Sequence, residues 1–279
     1  MRPLTVAFLA IIMTLPAALH AQTLERIKTT GELRVGYRTD AAPLSYQVDG
    51  KPHGYSPVVC NALAPLIGKQ LGLSDIKIVF EPVDTKNRFE KVASGDIDLL
   101  CGAATITLSR REIVDFSIPT YVDGAALALR KDAPDSLKEF SGQKIGVRSG
   151  TTTLETLTKT LKTENIDAEV ISFSSHIFGM AALENAEIQA YFADQSILMN
   201  MVLKSEDKHN LKVSEGILSV EKHGLAMARG DTDFRLAVDR GLSELFVNGY
   251  MQKAFEKALP GATSGFGLKA MYLLSPTFP

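Results

Sequence analysis

The stretch DIDLLCGAATITLSRREIVDFS, residues 96–117, places two adjacent arginines shortly after an apolar run. The run DIDLLC is typical of an interior strand, and in open α/β sheets the carboxyl ends of such strands border ligand crevices. Thr107 is a suitable N-cap for the segment that follows it, so residues 102–105 are predicted to form a strand-to-helix loop. Backbone N–H groups, threonine hydroxyls and the Arg110 guanidinium could together hold a carboxylate there. The alternative, a solvated pair of surface arginines, fits the spacing alone equally well.

The composition of the chain predicts a globular protein with a full hydrophobic core. Of its 279 residues, 45 % are hydrophobic and 22 % are charged, which excludes a disordered chain. Lys and Arg number 30 and Asp and Glu number 32, for a net charge of −2. No basic block is long enough to follow a phosphate backbone, so we expect no nucleic-acid partner.

Residues 1–21 have the order of a secretory signal peptide. One arginine precedes a twelve-residue apolar run, and the segment ends in the small residues of PAALHA. An uncleaved membrane anchor is the alternative, but a twelve-residue helix rises only ~18 Å against a hydrocarbon core of ~30 Å. The sequence therefore predicts export to the periplasm.

The chain has two cysteines, Cys60 and Cys101. In an oxidising compartment two cysteines favour one disulfide, and both residues are expected on the core side of one α/β unit. Two buried free thiols are the alternative.

Strand-like and helix-like patterns alternate along the chain, which predicts an α/β fold with mostly parallel sheets. The segments RFEKVASGDIDLLCGAAT and GMAALENAEIQAYFADQS share one pattern of helix, turn and apolar strand, which indicates two such units. Two extended segments, 124–134 and 224–232, are the predicted crossings between two lobes. Lobe 1 is then expected to comprise residues 22–128 and 229–279, and lobe 2 residues 129–228.

One helix has an interruption in its pattern. The segment SPVVCNALAPLIGKQLG is predicted to begin with Ser56 as N-cap and Pro57 at the first helical position. Pro65 is expected to kink this helix or to end it early.

The sequence contains no motif that specifies a catalytic reaction. It has no GxxxxGK[ST], HExxH, GxSxG or paired CxxC motif, and its five histidines are scattered without metal-ligand spacing. We therefore predict no cofactor and no metal, and a binding function in preference to an enzymatic one.

The segment TITLSRREIVDFSIPTY, residues 105–121, resembles the signature of the family 3 periplasmic solute-binding proteins. The chain is similar in particular to the glutamate/aspartate-binding proteins of amino-acid ABC transporters. LRVGYRTDAAPLSY, PVDTKNRFEKVASGDIDLLCG, IGVRSGTTT and YFAD carry the same resemblance in the same order. The resemblance implies a two-lobed fold with two hinge crossings, ligand-driven closure, a membrane ABC permease as partner and a monomeric state.

The resemblance also implies a set of ligand-binding residues. Thr105 and Arg110 match the residues that bind the α-carboxylate, and Asp194 matches the acid that accepts the α-ammonium. Arg38 and Arg88 match the arginines that take the side-chain carboxylate of an acidic ligand. The remaining candidates are the neighbours of these residues in the matching motifs, namely Thr85, Gly102, Ser149, Thr151, Thr152 and His176.

Several of these residues also have a structural interpretation. Asp194 could simply cap the helix that begins near Gln195, and residues 149–152 could be an ordinary helix start. His176 could be a satisfied core histidine.

The charges of the predicted site favour an acidic amino acid. Arg38, Arg88 and Arg110 outweigh Asp194, while His176 is taken as neutral, so the site is expected to carry net positive charge. A neutral ligand would leave two arginines without an anion in a closed cleft, which costs several kcal/mol. The remaining alternatives are an enzyme on the same fold, such as a cyclohexadienyl-dehydratase-like or lytic-transglycosylase-like protein, and a signalling receptor.

Overall fold

The structure is a computed structural model that describes residues 22–277. The predicted signal peptide, residues 1–21, lies outside the described residues and stays a prediction. Among the residues described, no helix has both the length and the apolarity needed to span a bilayer.

Lobe 1 is built on a five-stranded sheet of order β5-β1-β6-β14-β7. The first three strands are parallel, and β14 is antiparallel to both of its neighbours. In chain order these strands are β1 (Glu32–Arg38), β5 (Lys77–Val83), β6 (Leu99–Leu100), β7 (Val114–Phe116) and β14 (Ala226–Ala228). A small antiparallel sheet lies beside them, made of β2 (Asp40–Ala41), β3 (Ser45–Val48) and β4 (Lys51–His53).

Helices cover both faces of the lobe 1 sheet. One face packs against apolar residues such as Leu63, Phe234 and Met251, and the other packs against Val92. The helices of this lobe are α1 (Gln22–Thr30), α2 (Tyr55–Leu71), α3 (Arg88–Ser94), α4 (Leu108–Arg111), α8 (Thr232–Val247), α9 (Tyr250–Ala258) and α10 (Phe266–Leu274).

Lobe 2 is built on a six-stranded sheet of order β10-β9-β11-β8-β12, with β13 also paired to β8. Three strands are parallel, and β8 is antiparallel to β11, β12 and β13. The strands are β8 (Tyr121–Arg130), β9 (Lys144–Arg148), β10 (Glu169–Phe173), β11 (Ala190–Asp194), β12 (Leu211–Val213) and β13 (Ser219–His223). The helices are α5 (Thr152–Thr163), α6 (His176–Glu184) and α7 (Gln195–Lys204), with short 3-10 helices at Leu137–Phe140 and Lys208–Asn210.

The two-lobed α/β fold predicted from the sequence is confirmed, with mixed sheets in place of mostly parallel ones. Each sheet has a parallel core of three strands that antiparallel strands extend. Antiparallel pairing follows from the crossings, because a strand that enters a lobe and the strand that returns from it run in opposite directions.

The chain changes sheets at slightly different places from those expected. Strand β7 ends at Phe116 in the lobe 1 sheet, and β8 begins at Tyr121 in the lobe 2 sheet. The return falls between His223, which ends β13, and Ala226, which begins β14. The segment beginning at Gly124, expected to be a crossing, is therefore the interior of a ten-residue strand. Its extended apolar pattern reflects burial in a sheet.

Helix α2 continues through Pro65, so Pro65 does not end it. The helix begins at Tyr55 with Gly54 at the N-cap position, not at Ser56, and no side chain caps it. Pro65 removes one backbone hydrogen bond. The helix continues because Leu63 and Ile67 on the two sides of the proline are fully buried in the lobe 1 core, and such packing outweighs local propensity.

The predicted disulfide joins Cys60 of α2 to Cys101, the first residue after β6. Both cysteines lie in the hydrophobic core of lobe 1. The bridge attaches the start of the loop that carries the predicted anion-binding residues to a long helix.

Candidate functional site

The segment after β6 forms the predicted strand-to-helix loop. The side chain of Thr107 accepts a hydrogen bond from the Arg110 backbone N–H at 3.1 Å, which confirms Thr107 as the N-cap of α4. The Arg110 guanidinium folds back and donates from Nη1 to the Thr105 carbonyl at 2.8 Å. Arg110 is therefore directed along the loop, while Arg111 is exposed.

A cavity lies where this loop faces lobe 2. Eight of the eleven predicted ligand-binding residues line it: Arg38, Arg88, Thr105, Arg110, Thr151, Thr152, His176 and Asp194. Three lining residues were not predicted, namely Ala103, Thr153 and Ile197. The three arginines thus converge on one space although they come from three distant parts of the chain.

Thr85, Gly102 and Ser149 lie near the cavity but do not line it. Thr85 Oγ1 donates to the Ser149 carbonyl at 3.0 Å, which joins the two lobes. Gly150 allows this approach, because a Cβ there would lie 3.0 Å from the Thr85 side chain. Gly102 lies against Arg38, whose Cγ would be 3.1 Å from an added Cβ.

Arg38 is paired with a carboxylate that the sequence reasoning missed. Its Nε donates to Asp40 Oδ1 at 2.8 Å, and Asp40 Oδ2 accepts from Arg148 Nε at 2.8 Å. Burial alone would raise the pKa of Asp40, but the charge of Arg38 and the hydrogen bond from Arg148 hold it well below its usual range. Asp40 could have been noticed in the sequence, because it lies two residues after Arg38 in YRTD. Nothing in the sequence indicated its contact across the cleft with Arg148.

In the part of the chain that the structure describes, Arg88 and Arg110 have no such carboxylate partner. Arg88 donates to the Ala103 carbonyl at 2.8 Å and to the Gly150 carbonyl at 3.5 Å, and its buried Nε has no hydrogen-bond partner within residues 22–277. Both guanidinium groups lie over the Phe89 ring, at 4.8 and 5.1 Å from its centroid. Burial and then the charges of Arg38 and Arg110 lower the pKa of Arg88.

His176 is a buried, neutral side chain. Its Nδ1 lies 3.0 Å from the Tyr191 hydroxyl. Burial, followed by the nearby charge of Arg38, lowers the pKa of His176 to about 3. It can therefore offer a neutral hydrogen-bonding group to the cavity at physiological pH.

Asp194 ends β11 and immediately precedes α7. Its side chain makes no capping hydrogen bond to this helix, so the interpretation as a simple helix cap is wrong. Burial, together with the nearby carboxylates of Asp123 and Glu221, raises the pKa of Asp194 well above its usual range. His223 Nε2 lies 3.8 Å from Asp194 Oδ2.

Glu221 is the second carboxylate that the sequence reasoning missed. Its Oε2 accepts hydrogen bonds from Thr105 Oγ1 at 2.5 Å and from Thr152 Oγ1 at 2.6 Å. It lies on β13, whose end runs beside the loop, where the Ile106 N–H donates to the Lys222 carbonyl at 2.8 Å. Glu221 occupies a buried position in a strand whose residues alternate between buried and exposed. An acidic residue at a buried position of a strand could have identified it as a functional candidate.

The charges that line the cavity are those expected from the sequence, Arg38, Arg88 and Arg110 beside Asp194, but further charged groups lie behind them. Beside the three predicted arginines the site contains Arg148, and beside Asp194 it contains Asp40, Asp123 and Glu221. The four arginines and four carboxylates balance formally. The count made from the sequence left out these further groups because it included only the residues of recognised motifs. The charges are nevertheless separated in space. Arg88 and Arg110 have no carboxylate partner within the described residues, whereas Asp123 and Glu221 lie near Asp194.

Comparison with known proteins identifies similar sequences over nearly the whole chain. The model of the bacterial extracellular solute-binding proteins, family 3, matches residues 33–260. The L-glutamate/L-aspartate-binding protein of Pseudomonas aeruginosa is 27 % identical over 261 residues, which cover 91 % of this chain and 86 % of that protein. The glutamate/aspartate import solute-binding protein of Salmonella typhimurium is 28 % identical over 270 residues, covering 92 % and 88 %.

A solved structure with a different ligand has the same fold. An ancestral arginine-binding protein bound to arginine superposes with a TM-score of 0.74 at 26 % identity, over 82 % of this chain and 98 % of that one. Relatives at this level of identity thus differ in the amino acid that they bind. Ligand preference has to be argued from the residues of the cavity.

Proposed function

The chain belongs to the bacterial extracellular solute-binding proteins, family 3, and on that premise we propose that it is the periplasmic binding component of an amino-acid ABC transporter with glutamate or aspartate as its ligand. The proposal includes delivery of the ligand to a membrane permease. The cavity is lined by arginine, threonine, histidine and aspartate side chains, which suit the charged and polar groups of an amino acid.

The observation that carries the acidic preference is the state of Arg88. It is a fully buried cation in the cavity wall, with one unpaired nitrogen and no carboxylate within 4.0 Å among the described residues. A ligand side-chain carboxylate placed there gains charge-assisted hydrogen bonds. A neutral side chain would leave the charge unpaired in a closed site, at a cost of several kcal/mol.

The other groups of the ligand can then be assigned. The α-carboxylate binds Arg110 and the backbone N–H groups at the start of α5, where the helix dipole favours an anion. The α-ammonium binds Asp194, whose raised pKa falls when a cation lies beside it. Binding therefore gives each of these buried charged groups a partner of opposite charge.

Closure follows from the contacts that join the lobes. Asp40 with Arg148 and Thr85 with the Ser149 carbonyl are bonds between lobe 1 and lobe 2. A ligand held by Arg110 from one lobe and Asp194 from the other makes its full set of contacts only when the lobes are together. It therefore shifts the population toward the closed state.

Isothermal titration calorimetry with L-glutamate, L-aspartate, L-glutamine, L-asparagine, L-arginine and L-cystine tests the ligand. We expect tight binding of the two acidic amino acids alone. Tighter binding of any of the other four would overturn the acidic preference and leave an amino-acid receptor of different specificity.

Replacement of Arg110 tests the assignment of the carboxylate. We expect Arg110→Ala to weaken binding by at least ~2 kcal/mol, because a hydrogen bond to a charged group is lost. Arg111→Ala is the matched control, since Arg111 is exposed on the same short helix. Equal affinities for the two variants would refute the role of Arg110.

One observation favours an enzyme on the same fold as a second candidate. The pKa of Asp194 is raised by burial and by neighbouring carboxylates, and a protonated acid in a cleft can act as a general acid. Mass spectrometry after incubation with a cyclohexadienyl carboxylic acid would detect dehydration. Turnover that disappears in Asp194→Asn would establish this function in place of binding alone.

A further inference from the structure

One histidine and two carboxylates meet where β13 returns toward lobe 1. Glu221 and His223 lie two residues apart on β13, and they are only 4 % and 2 % exposed. Asp194 ends β11, which pairs with the other edge of β8. We propose that Asp194, Glu221 and His223 form a binding site for a divalent transition-metal ion such as Zn²⁺. The proposal goes beyond the proposed function, because it holds whichever amino acid the protein binds.

The strands present the three side chains on one face of the lobe 2 sheet. Positions 121, 123 and 125 of β8 share a face, because side chains alternate along a strand. Their cross-strand partners are His223, Glu221 and Asp194, and residues directly opposite one another lie on the same face. No metal was expected from the sequence, because its histidines are scattered. The strand pairing instead brings one histidine together with two acids.

The ligand atoms are close to the spacing of a zinc site. His223 Nε2 lies 3.8 Å from Asp194 Oδ2, and one ligand atom from each of the three residues lies within 4.8 Å of the other two. In a tetrahedral site with bonds of about 2.1 Å, neighbouring ligand atoms are about 3.4 Å apart. A shift of about 1 Å at the carboxylate oxygens brings them to this geometry.

The histidine is the group that calls for a ligand. Its Nε2 is buried and has no hydrogen-bond partner within residues 22–277. The 3.8 Å between this nitrogen and Asp194 is too long for a hydrogen bond. A buried polar atom without a partner costs about 1–3 kcal/mol. A metal ion supplies that partner, because an imidazole nitrogen is the commonest protein ligand of metals such as zinc.

The two carboxylates are crowded and held in place. Asp123 and Glu221 both lie near enough to Asp194 for their charges to act on it, and a divalent cation relieves this repulsion. Thr105 and Thr152 donate to Glu221 Oε2 at 2.5 and 2.6 Å. Hydrogen-bond donors behind a ligating carboxylate are usual in metal sites, where they fix its orientation.

The donor set selects the kind of ion. Ca²⁺ takes about six to eight oxygen ligands and Mg²⁺ an octahedron of oxygens, whereas one imidazole with two carboxylates suits zinc and leaves a fourth position for water. The charges of Arg88 and Arg110 also reach His223 and oppose a cation. The three carboxylates of the cluster outnumber these two arginines.

Metal binding and amino-acid binding then compete. Asp194 is also the residue that we assign to the α-ammonium of the amino acid, and one carboxylate cannot hold a zinc ion and an ammonium group together in a closed cavity. Zinc is therefore expected to lower the apparent affinity for the amino acid.

Calorimetric titration of zinc chloride into the full chain, free of metal and amino acid, tests the site. We expect one zinc ion per chain, bound at least about 100-fold more weakly in His223→Asn, since loss of an outer-shell partner alone costs about 10–100-fold. His209→Asn is the matched control, because His209 is an exposed histidine of the same lobe, and it should bind zinc as the wild type does. Undiminished zinc binding in His223→Asn, or an equal loss in His209→Asn, would overturn the proposal.

Two further measurements keep the test decisive if His223→Asn does not fold, which circular dichroism detects. Glu221→Gln retains the size of the side chain and should also lose zinc binding. In the wild-type protein, saturation with the bound amino acid should weaken zinc binding by at least about tenfold. Zinc binding that the amino acid leaves unchanged would refute the use of Asp194 as a shared ligand.

The metal site and the proposed function can fail separately. Zinc binding that depends on His223 in the absence of any amino acid supports the site even if L-glutamate does not bind. Binding of L-glutamate without binding of zinc refutes the site and leaves the proposed function intact. Tighter binding of Ca²⁺ or Mg²⁺ than of zinc would overturn the assignment to a transition metal.

Discussion

Arg38 and Arg88 lie in the same cavity wall and are equally buried, each 2 % exposed, but among the residues that the structure describes only Arg38 is paired with a carboxylate. Arg38 is bonded to Asp40, which Arg148 also binds from the other lobe. Arg88 donates only to backbone carbonyls, and its Nε is unpaired among residues 22–277. This difference shows that residue type and burial alone do not determine whether an arginine is structural or binds a ligand. A compensated arginine fixes the architecture, while an uncompensated one destabilises the empty protein and is available to an anion.

The largest expected effect is on ligand binding in Arg88→Met. We expect acidic amino acids to bind at least about 100-fold more weakly, about 2.7 kcal/mol, because the side-chain carboxylate loses its charged partner. We expect the ligand-free protein to be as stable as the wild type or more stable, since the variant removes a buried charge without a counter-ion. Calorimetric titration and thermal unfolding measure the two effects, and a large loss of stability without a loss of affinity would contradict this role.

The same substitution at the other arginine should act in the opposite sense. We expect Arg38→Met to lower the free energy of unfolding of the ligand-free protein by about 2 kcal/mol. Asp40 then stays buried with Arg148 alone, and breaking a buried pair leaves charge poorly compensated. Urea unfolding without ligand measures the loss. If Arg38→Met and Arg88→Met change stability in the same direction, the distinction between the two arginines is wrong.

The smallest effect concerns His176, which lies beside the Arg38 cluster. Its folded-state pKa is about 3, far below the unfolded value of ~6.5. The unfolded chain therefore binds a proton that the folded protein does not as the pH falls from about 6.5. This costs the folded state up to about 1.4 kcal/mol per pH unit.

We expect His176→Gln to lose about 1 kcal/mol less stability than the wild type between pH 6.5 and pH 5.5. Urea unfolding at several pH values measures the difference. Asp123, with a pKa raised to about 6, and His223, with a pKa lowered to about 4, are present in both proteins, so the comparison isolates His176. Parallel pH profiles for the two proteins would contradict its buried, neutral state.

The sequence predicted the fold from local patterns, and the resemblance of its motifs to a known family implied the convergence of the motif residues. Thr107 caps its helix through a contact three residues away, and Arg38, Arg88 and Arg110 stand in recognisable segments. The course of α2 through Pro65 was not predicted, since burial of the flanking residues outweighed a local propensity. The position of the first crossing was missed because an apolar extended segment looks the same inside a sheet as between two lobes.

The partners of the charged groups were beyond the reach of the sequence. The hydrogen bond between Asp40 and Arg148 joins residues that are 108 positions apart in the sequence, and the one between Glu221 and Thr105 joins residues that are 116 positions apart. Such contacts form only when two lobes and a returning strand meet.

By itself, the sequence predicted two α/β lobes, favoured a disulfide between Cys60 and Cys101, and indicated through its motifs which arginines border the cleft. These features depend on periodicity, capping and motif order, which act over short distances along the chain. Only the tertiary structure decided that Arg38 is neutralised, that Arg88 is not, and that the Thr105 hydroxyl is directed to Glu221. The physical reason is that the charge state and the hydrogen-bond direction of a buried group depend on what lies within a few ångströms in space, whatever the distance along the chain.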